Sequence, residues 1–201
     1  MTHAAFLRSP HAHARIVRID AAAAKRMPGV VAVVTGEEVA RVCEPWVGTL
    51  GHLAMKSARQ YPLAIGKAVW QGEPVVAVVA ESRALAEDAV SRVLVEWEPL
   101  TAVTDPETAL EPDTPVIHPE LGDNLVFETR LSAGDVDRAF AEADAVYADT
   151  FTIGRHTGVP LEPRVIIADF DPWERRLTVY QSSQTPNVMQ DVLARTFEDQ
   201  T

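Results

Sequence analysis

The stretch Gly72-Glu73-Pro74-Val75-Val76-Ala77-Val78-Val79-Ala80 joins a turn signal to a run of six apolar residues. An unbroken apolar run of this length, rich in β-branched valine and bounded by Gly and Pro, has the character of a buried strand. Val30–Val34, set between Pro28-Gly29 and Gly36, carries the same signature. Working outward, Ala4–Leu7 and Arg15–Ile19 read as strands. Asp20 is expected to cap a helix over Ala21–Arg26, and Glu37–Arg41 reads as a short helical turn. Downstream, Glu81-Ser82 opens a helix predicted through Val93, where Ala84, Leu85, Ala89 and Val93 follow helical spacing. Leu94–Trp97 then alternates like a half-buried strand.

Two irregular stretches interrupt this alternation. Residues 42–66, rich in Gly and Pro, are too long for an ordinary connection and read as an insertion or a contact surface. Residues 98–123 hold Pro99, Pro106, Pro112, Pro115 and Pro119, which predicts a linker with one short helix at Glu107–Leu110. Beyond it we expect strands at Leu125–Leu131 and Val146–Ile153, with a helix from Gly134 to Ala143 between them. Val165–Phe170 and Arg176–Tyr180 read as a hairpin turning at residues 171–175, and Thr185-Pro186 starts a helix that runs to about Phe197. The fold class is α+β, divided into residues 1–103, a Pro-rich linker at 104–123, and residues 124–201.

Composition bounds the function. The chain has 201 residues, 47% hydrophobic and 23% charged, which is ordinary globular usage and excludes a disordered or collagen-like chain. Residues 1–100 carry 11 Lys/Arg against 10 Asp/Glu, whereas residues 101–201 carry 7 against 19, so the net charge of −11 belongs to the second half. With no basic cluster and an acidic half, nucleic-acid binding is not expected. No apolar stretch approaches the roughly 20 residues needed to cross a bilayer, and no signal sequence opens the chain, so a cytoplasmic location without membrane contact is expected. A single cysteine, Cys43, cannot form an internal disulfide, nor hold an iron–sulfur cluster or a four-ligand zinc site by itself. Generic catalytic signatures (GxSxG, the Walker loop, GxGxxG, HExxH) are absent.

Several ordered motifs are more specific. They are Phe6-Leu7-Arg8-Ser9-Pro10-His11-Ala12-His13-Ala14-Arg15-Ile16, Ile19-Asp20, Pro28 through Gly36, Gly72 through Ala80, and Val95-Glu96-Trp97-Glu98-Pro99-Leu100. Together they closely resemble the α/β-hammerhead domain of the molybdenum hydroxylases, the xanthine dehydrogenase, aldehyde oxidase and carbon monoxide dehydrogenase family. Past the linker, Gly134 through Phe140, Arg155 through Arg164, and Ser182-Ser183-Gln184 look like the opening of that family's molybdopterin-binding domain. The resemblance implies a hammerhead domain followed by the beginning of a molybdopterin-binding α+β domain. It further implies an oxidoreductase that hydroxylates an aldehyde or N-heterocyclic small molecule with oxygen taken from water. Electrons would leave through iron–sulfur clusters and FAD on partner subunits. The family's Gly-rich cofactor loop, its glutamate base and the usual lead-in before the Phe6 strand have no counterpart here, which implies a fragment, a split gene product or a truncated reading frame. No catalytic base and no metal ligand is therefore expected within these residues.

By motif register, His156 falls where relatives place a side chain, often Gln, that approaches a molybdenum oxo ligand; the other reading is a hydrogen bond to a loop carbonyl. Glu162 would orient neighbouring loops, or pair with Arg155 or Arg164. Ser182, Ser183 and Gln184 offer hydroxyl and amide groups to the pterin or its phosphates, or cap a helix. Outside the motifs, His11 and His13 would share one face of a strand, with packing favoured over metal binding because no third ligand lies near in sequence. Cys43 is expected to be an unreactive thiol, and Trp46, Trp70 and Trp97 to fill the hammerhead core or its interface. Two other functions fit the same residues: a non-catalytic module that docks partner subunits, and a free-standing small-molecule binding domain.

Overall fold

The computed structural model describes residues 1–48, 55–154, 156 and 158–197. Arg155 and Thr157 of the predicted cofactor wall, and residues 49–54 of the irregular stretch, lie outside the described residues. The elements follow in the order β1 (His3–Arg8), β2 (Ala14–Asp20), α1 (Ala22–Lys25), β3 (Val30–Thr35), α2 (Gly36–Val39), β4 (Lys67–Ala68), β5 (Pro74–Ala80), α3 (Arg83–Val90) and β6 (Leu94–Pro99), then α4 (Val136–Glu142), β7 (Ile166–Asp171), β8 (Arg176–Gln181) and α5 (Pro186–Thr196). This is the α+β fold expected. Residues 1–128 with the chain from Asn187 onward form one compact unit, and Thr129–Pro186 form a second.

In the first unit the all-apolar stretch becomes β5, the central strand of a sheet ordered β1-β5-β3. It pairs antiparallel with β1 in the register Phe6↔Ala77 and Leu7↔Val76, and with β3 in the register Val33↔Val78. Val75 and Val76 are both fully buried, and because successive side chains of a strand point to opposite faces, both faces of β5 are covered. Ala24, Val33, Ala64, Ala89 and Val93 complete the core, and Ile16, Ile19, Val95 and Trp97 of the second sheet, ordered β4-β2-β6, pack against it. Each buried valine contributes on the order of 1.5–3 kcal/mol relative to exposure.

Local hydrogen bonds set where the helices start and stop. The Ser82 hydroxyl accepts from the Leu85 N–H and begins α3. The helix ends at Val90 rather than at the predicted Val93, because Arg92 and Val93 bond back three residues, to the Ala89 and Val90 carbonyls, and tighten the last turn. α1 is likewise shorter than expected. Asp20 stands one position before the cap residue Ala21, where its carboxylate accepts from the Ala22 N–H at 3.1 Å. At the start of α2 the Glu38 carboxylate accepts from the Thr35 N–H at 2.8 Å and from the Thr35 hydroxyl at 3.2 Å. That backbone hydrogen bond holds the Glu38 carboxyl below the ordinary glutamate range. Gly36 follows because no side chain fits: a Cβ there would lie 2.5 Å from the Ala64 carbonyl oxygen.

The Pro-rich stretch departs from expectation. Instead of a helix, residues 107–110 form turns in which Asp105 Oδ1 accepts from the Glu107 N–H and the Thr108 carbonyl accepts from the Glu111 N–H and the Thr114 hydroxyl. Pro106 and Pro112 leave too few residues between them for a stable helix. Asn124 pins the stretch, donating to the Ala109 and Pro115 carbonyls while its own oxygen accepts from the Ile117 N–H. Lys56 pairs with Asp123, and Lys67 donates to the Ile117 carbonyl. Thus residues 105–124 are fastened within the first unit by side chains whose roles are invisible without the tertiary structure.

In the second unit Asp135 caps α4 by accepting from the Arg138 N–H at 3.0 Å. The β7–β8 hairpin forms as predicted, its turn held by Asp171 Oδ1, which accepts from the Trp173 and Glu174 N–H groups. The expected strands at Leu125–Leu131 and Val146–Ile153 are not formed. Strand pattern alone does not make a strand, since its backbone groups need a lateral partner. Among the described residues, the first stretch receives one backbone bond from outside it, Lys56 N–H to the Val126 carbonyl. In the second, Tyr147 is 92% exposed and Phe151 84% exposed.

Gly36→Ala is expected to lower the stability of the full chain by about 1–3 kcal/mol, because a methyl group is forced against backbone. An unchanged urea midpoint would contradict the close approach to Ala64. Because the Glu38 carboxyl titrates lower in the folded chain than in the unfolded one, its contribution is complete above the ordinary glutamate range and disappears as pH falls through the lowered value. Glu38→Gln should therefore flatten the acid side of the stability profile as pH falls through and below the ordinary glutamate range, read by urea titrations at successive pH values.

Candidate functional site

The antiparallel register of β7 and β8 places Ile166 opposite Gln181 at the open end of the hairpin. The chain segments that flank this pair, Glu162 on one side and Ser182 on the other, are therefore neighbours although 20 residues apart. Ser182 Oγ donates to Glu162 Oε1 at 2.8 Å. Ser183 Oγ accepts from the Thr185 N–H at 3.0 Å, closing a turn just before Pro186 begins α5. Ser182, Ser183 and Gln184 are all exposed. The structure thus brings together four of the five residues singled out from sequence.

His156 is exposed as well, and among the described residues its ring has no hydrogen-bond partner. The alternative that it binds a loop carbonyl is not seen. Nor does Glu162 pair with Arg164 among the described residues; its partner is the Ser182 hydroxyl. Arg155, the other candidate partner, lies outside them. Ser182, Ser183 and Gln184 together offer two hydroxyls and one carboxamide to solvent, beside the Glu162 carboxylate.

The other residues marked in the sequence have structural surroundings. His11 and His13 do not lie on a strand; they occupy the bend between β1 and β2. His13 is buried, its Nδ1 donating to the Thr101 carbonyl at 2.8 Å, while its own carbonyl accepts from the Leu100 N–H. The His11 ring instead meets Trp97 edge-on, with centroids 5.6 Å apart. With different partners, the two imidazoles do not converge on one point. Of the three tryptophans expected in the hammerhead core or its interface, Trp97 packs against the core, whereas Trp46 and Trp70 are half exposed and do not fill it. Cys43 is buried, its Sγ 3.3 Å from the Val39 carbonyl oxygen, and burial with the nearby Glu44 charge pushes its thiol up. Three positioning residues escaped the sequence reading. Thr35 and Glu38 were detectable as a T-x-x-E spacing, whereas Asn124 left no local signal.

Comparison with known proteins gives this arrangement its setting. Residues 1–101 match the family model described as "Aldehyde oxidase and xanthine dehydrogenase, a/b hammerhead domain". The chain belongs to this family. Residues 117–200, which contain the Glu162–Ser182 pair, match the model described as "Molybdopterin cofactor-binding domain". Among curated relatives, the nicotine 6-hydroxylase large subunit of Paenarthrobacter nicotinovorans is 39% identical over 96% of this chain and 23% of its own length. The carbon monoxide dehydrogenase large chain of Afipia carboxidovorans is 35% identical over 94% of this chain and 24% of its own. The crystal structure of quinoline 2-oxidoreductase from Pseudomonas putida 86 superimposes with a TM-score of 0.91 at 36% identity, covering 98% of this chain and 25% of that one. This family member thus spans about a quarter of the length of the relatives it matches. Among the described residues, no helix is long and apolar enough to cross a membrane.

Burial and the raised thiol pKa predict that Cys43 is inert in the native chain. At pH 8 it should react with a disulfide reagent at least about tenfold more slowly than after unfolding in urea. Equal rates would show that the thiol is accessible.

Proposed function

We propose that this chain forms the N-terminal part of the large subunit of a molybdopterin-dependent oxidoreductase, residues 1–103 serving as the hammerhead, 104–123 as the linker and 124–201 as the first part of the cofactor domain. The observation that carries this reading is the Glu162–Ser182 contact at the mouth of the β7–β8 hairpin, inside the span matched to the cofactor-binding model. When bound, the molybdenum–pterin group supplies the oxidising centre for hydroxylating an aldehyde or N-heterocycle with oxygen from water. This chain's residues hold and orient that group. Ser182, Ser183 and Gln184 line the pterin with hydroxyl and amide groups, Glu162 fixes the first of them, and His156 donates a hydrogen bond toward the metal end. The general base comes from sequence beyond these residues, as do the iron–sulfur clusters and FAD on partner subunits. A reduced, buried Cys43 suits a cytoplasmic enzyme.

Exposed side chains support assembly. Tyr147, Phe151, Ile153 and Leu161 are each more than four-fifths exposed, a concentration of apolar surface that in the working enzyme is covered by the remainder of the subunit. The same exposure favours a second reading, a non-catalytic module that docks partner subunits without contributing to the cofactor site.

Metal and pterin analysis of the assembled subunit separates the two. With this chain joined to the remaining three-quarters of a large subunit, stoichiometric molybdenum is expected. Changing Ser182, Ser183 and Gln184 together to Ala should lower pterin content at least about fivefold, as expected for the loss of more than one hydrogen bond. Unchanged pterin content in that triple variant would favour the docking module.

A further inference from the structure

By composition Ser182 and Ser183 are equivalent, each hydroxyl having one donor proton and two acceptor lone pairs. Their surroundings make them different. Ser182 spends its only proton on Glu162 Oε1, so what it turns outward is lone pairs alone. Ser183 accepts from the Thr185 N–H, and among the described residues its own proton has no acceptor.

We propose that Glu162 is a positioning residue that commits the Ser182 proton, so that the Ser182-Ser183 step presents an acceptor beside a donor. Such a step recognises the adjacent N–H and C=O groups on the edge of a heterocycle, and it discriminates against a phosphate. This deepens the cofactor-wall reading above and rests on it.

Three features oppose phosphate. A phosphate oxygen requires donors, and at Ser182 it meets lone pairs with a carboxylate one hydrogen bond behind them. The Thr185 N–H, a backbone donor that a phosphate at the start of α5 would use, is already taken by Ser183. Pro186, the first residue of the helix, has no N–H to offer. An anion-binding helix start depends on such N–H groups, and here the two positions nearest the serines, Thr185 and Pro186, offer none. An N–H of a pterin-type ring, by contrast, finds in Ser182 an acceptor made more electron-rich by its charged partner.

The test uses the assembled, cofactor-loaded subunit and follows the rate of pterin loss on gel filtration by pterin fluorescence, with the thermal midpoint as a folding control. Ser182→Ala and Glu162→Ala should each speed pterin loss roughly fivefold, the worth of one hydrogen bond. The double variant should be no worse than either single one, because both changes remove the same interaction. Glu162→Gln, whose amide oxygen still accepts the Ser182 proton, should stay within about twofold of the parent. Additive losses in the double variant, or a Gln variant as damaging as the Ala variant, would overturn the positioning role. Slower pterin loss in Glu162→Ala would mean that the segment reads a phosphate, since that change frees a proton and removes a repelling charge. If Ser182→Ala, Ser183→Ala and Gln184→Ala all retain pterin like the parent, the cofactor-wall reading itself fails and takes this proposal with it.

Discussion

The first unit depends on one strand that has no polar side to show to water. Val75 and Val76 are adjacent and both fully buried, so β5 must be covered above and below and flanked by strands at both edges. Those requirements explain why residues distant in sequence come together. β1 and β3 satisfy its backbone, Ala89 and Val93 come from α3 and the turn after it, and Ile16, Ile19, Val95 and Trp97 come from the second sheet. Short polar devices then fix the connections at little cost in apolar area: the Ser82 cap, the Thr35–Glu38 pair and the His13 clamp on Thr101.

The second unit has no comparable strand. Its hairpin strands mix apolar and polar residues, and β7 is exposed along nearly all of its length. A half-apolar hairpin with a charged turn can hold its own register, since its backbone groups pair within 16 residues. It cannot supply a core. Leu125–Leu131 and Val146–Ile153 have the right residues, but a strand requires a ladder along a neighbour, and among the described residues the first stretch has only the single bond from the Lys56 N–H. Sequence pattern reports what a segment can do once a partner is present.

The hairpin matters for chemistry because of its register and not because of its strength. Pairing Ile166 with Gln181 brings the segments of Glu162 and Ser182 side by side, and their contact commits the serine's proton. A catalogue of hydroxyl-bearing residues treats two serines alike, whereas the direction of one proton separates an acceptor from a donor.

The sequence by itself determined the strands that bury themselves, the hairpin, most helix starts and the family to which the ordered motifs belong. These signals are local: apolar runs, turn residues and side chains that bond their own backbone within four residues. It also singled out Glu162 and Ser182, the two residues that the structure brings into contact, because motif order survives where geometry is unknown. Only the tertiary structure decided that His11 and His13 take separate partners, that Asn124 and two lysines fasten the Pro-rich stretch, and that Glu162 meets a serine rather than Arg164. The reason is physical. Each of those outcomes is a competition among several chemically equivalent partners, and the winner is chosen by which groups the packing of β5 and the register of the hairpin bring within about 3 Å of one another.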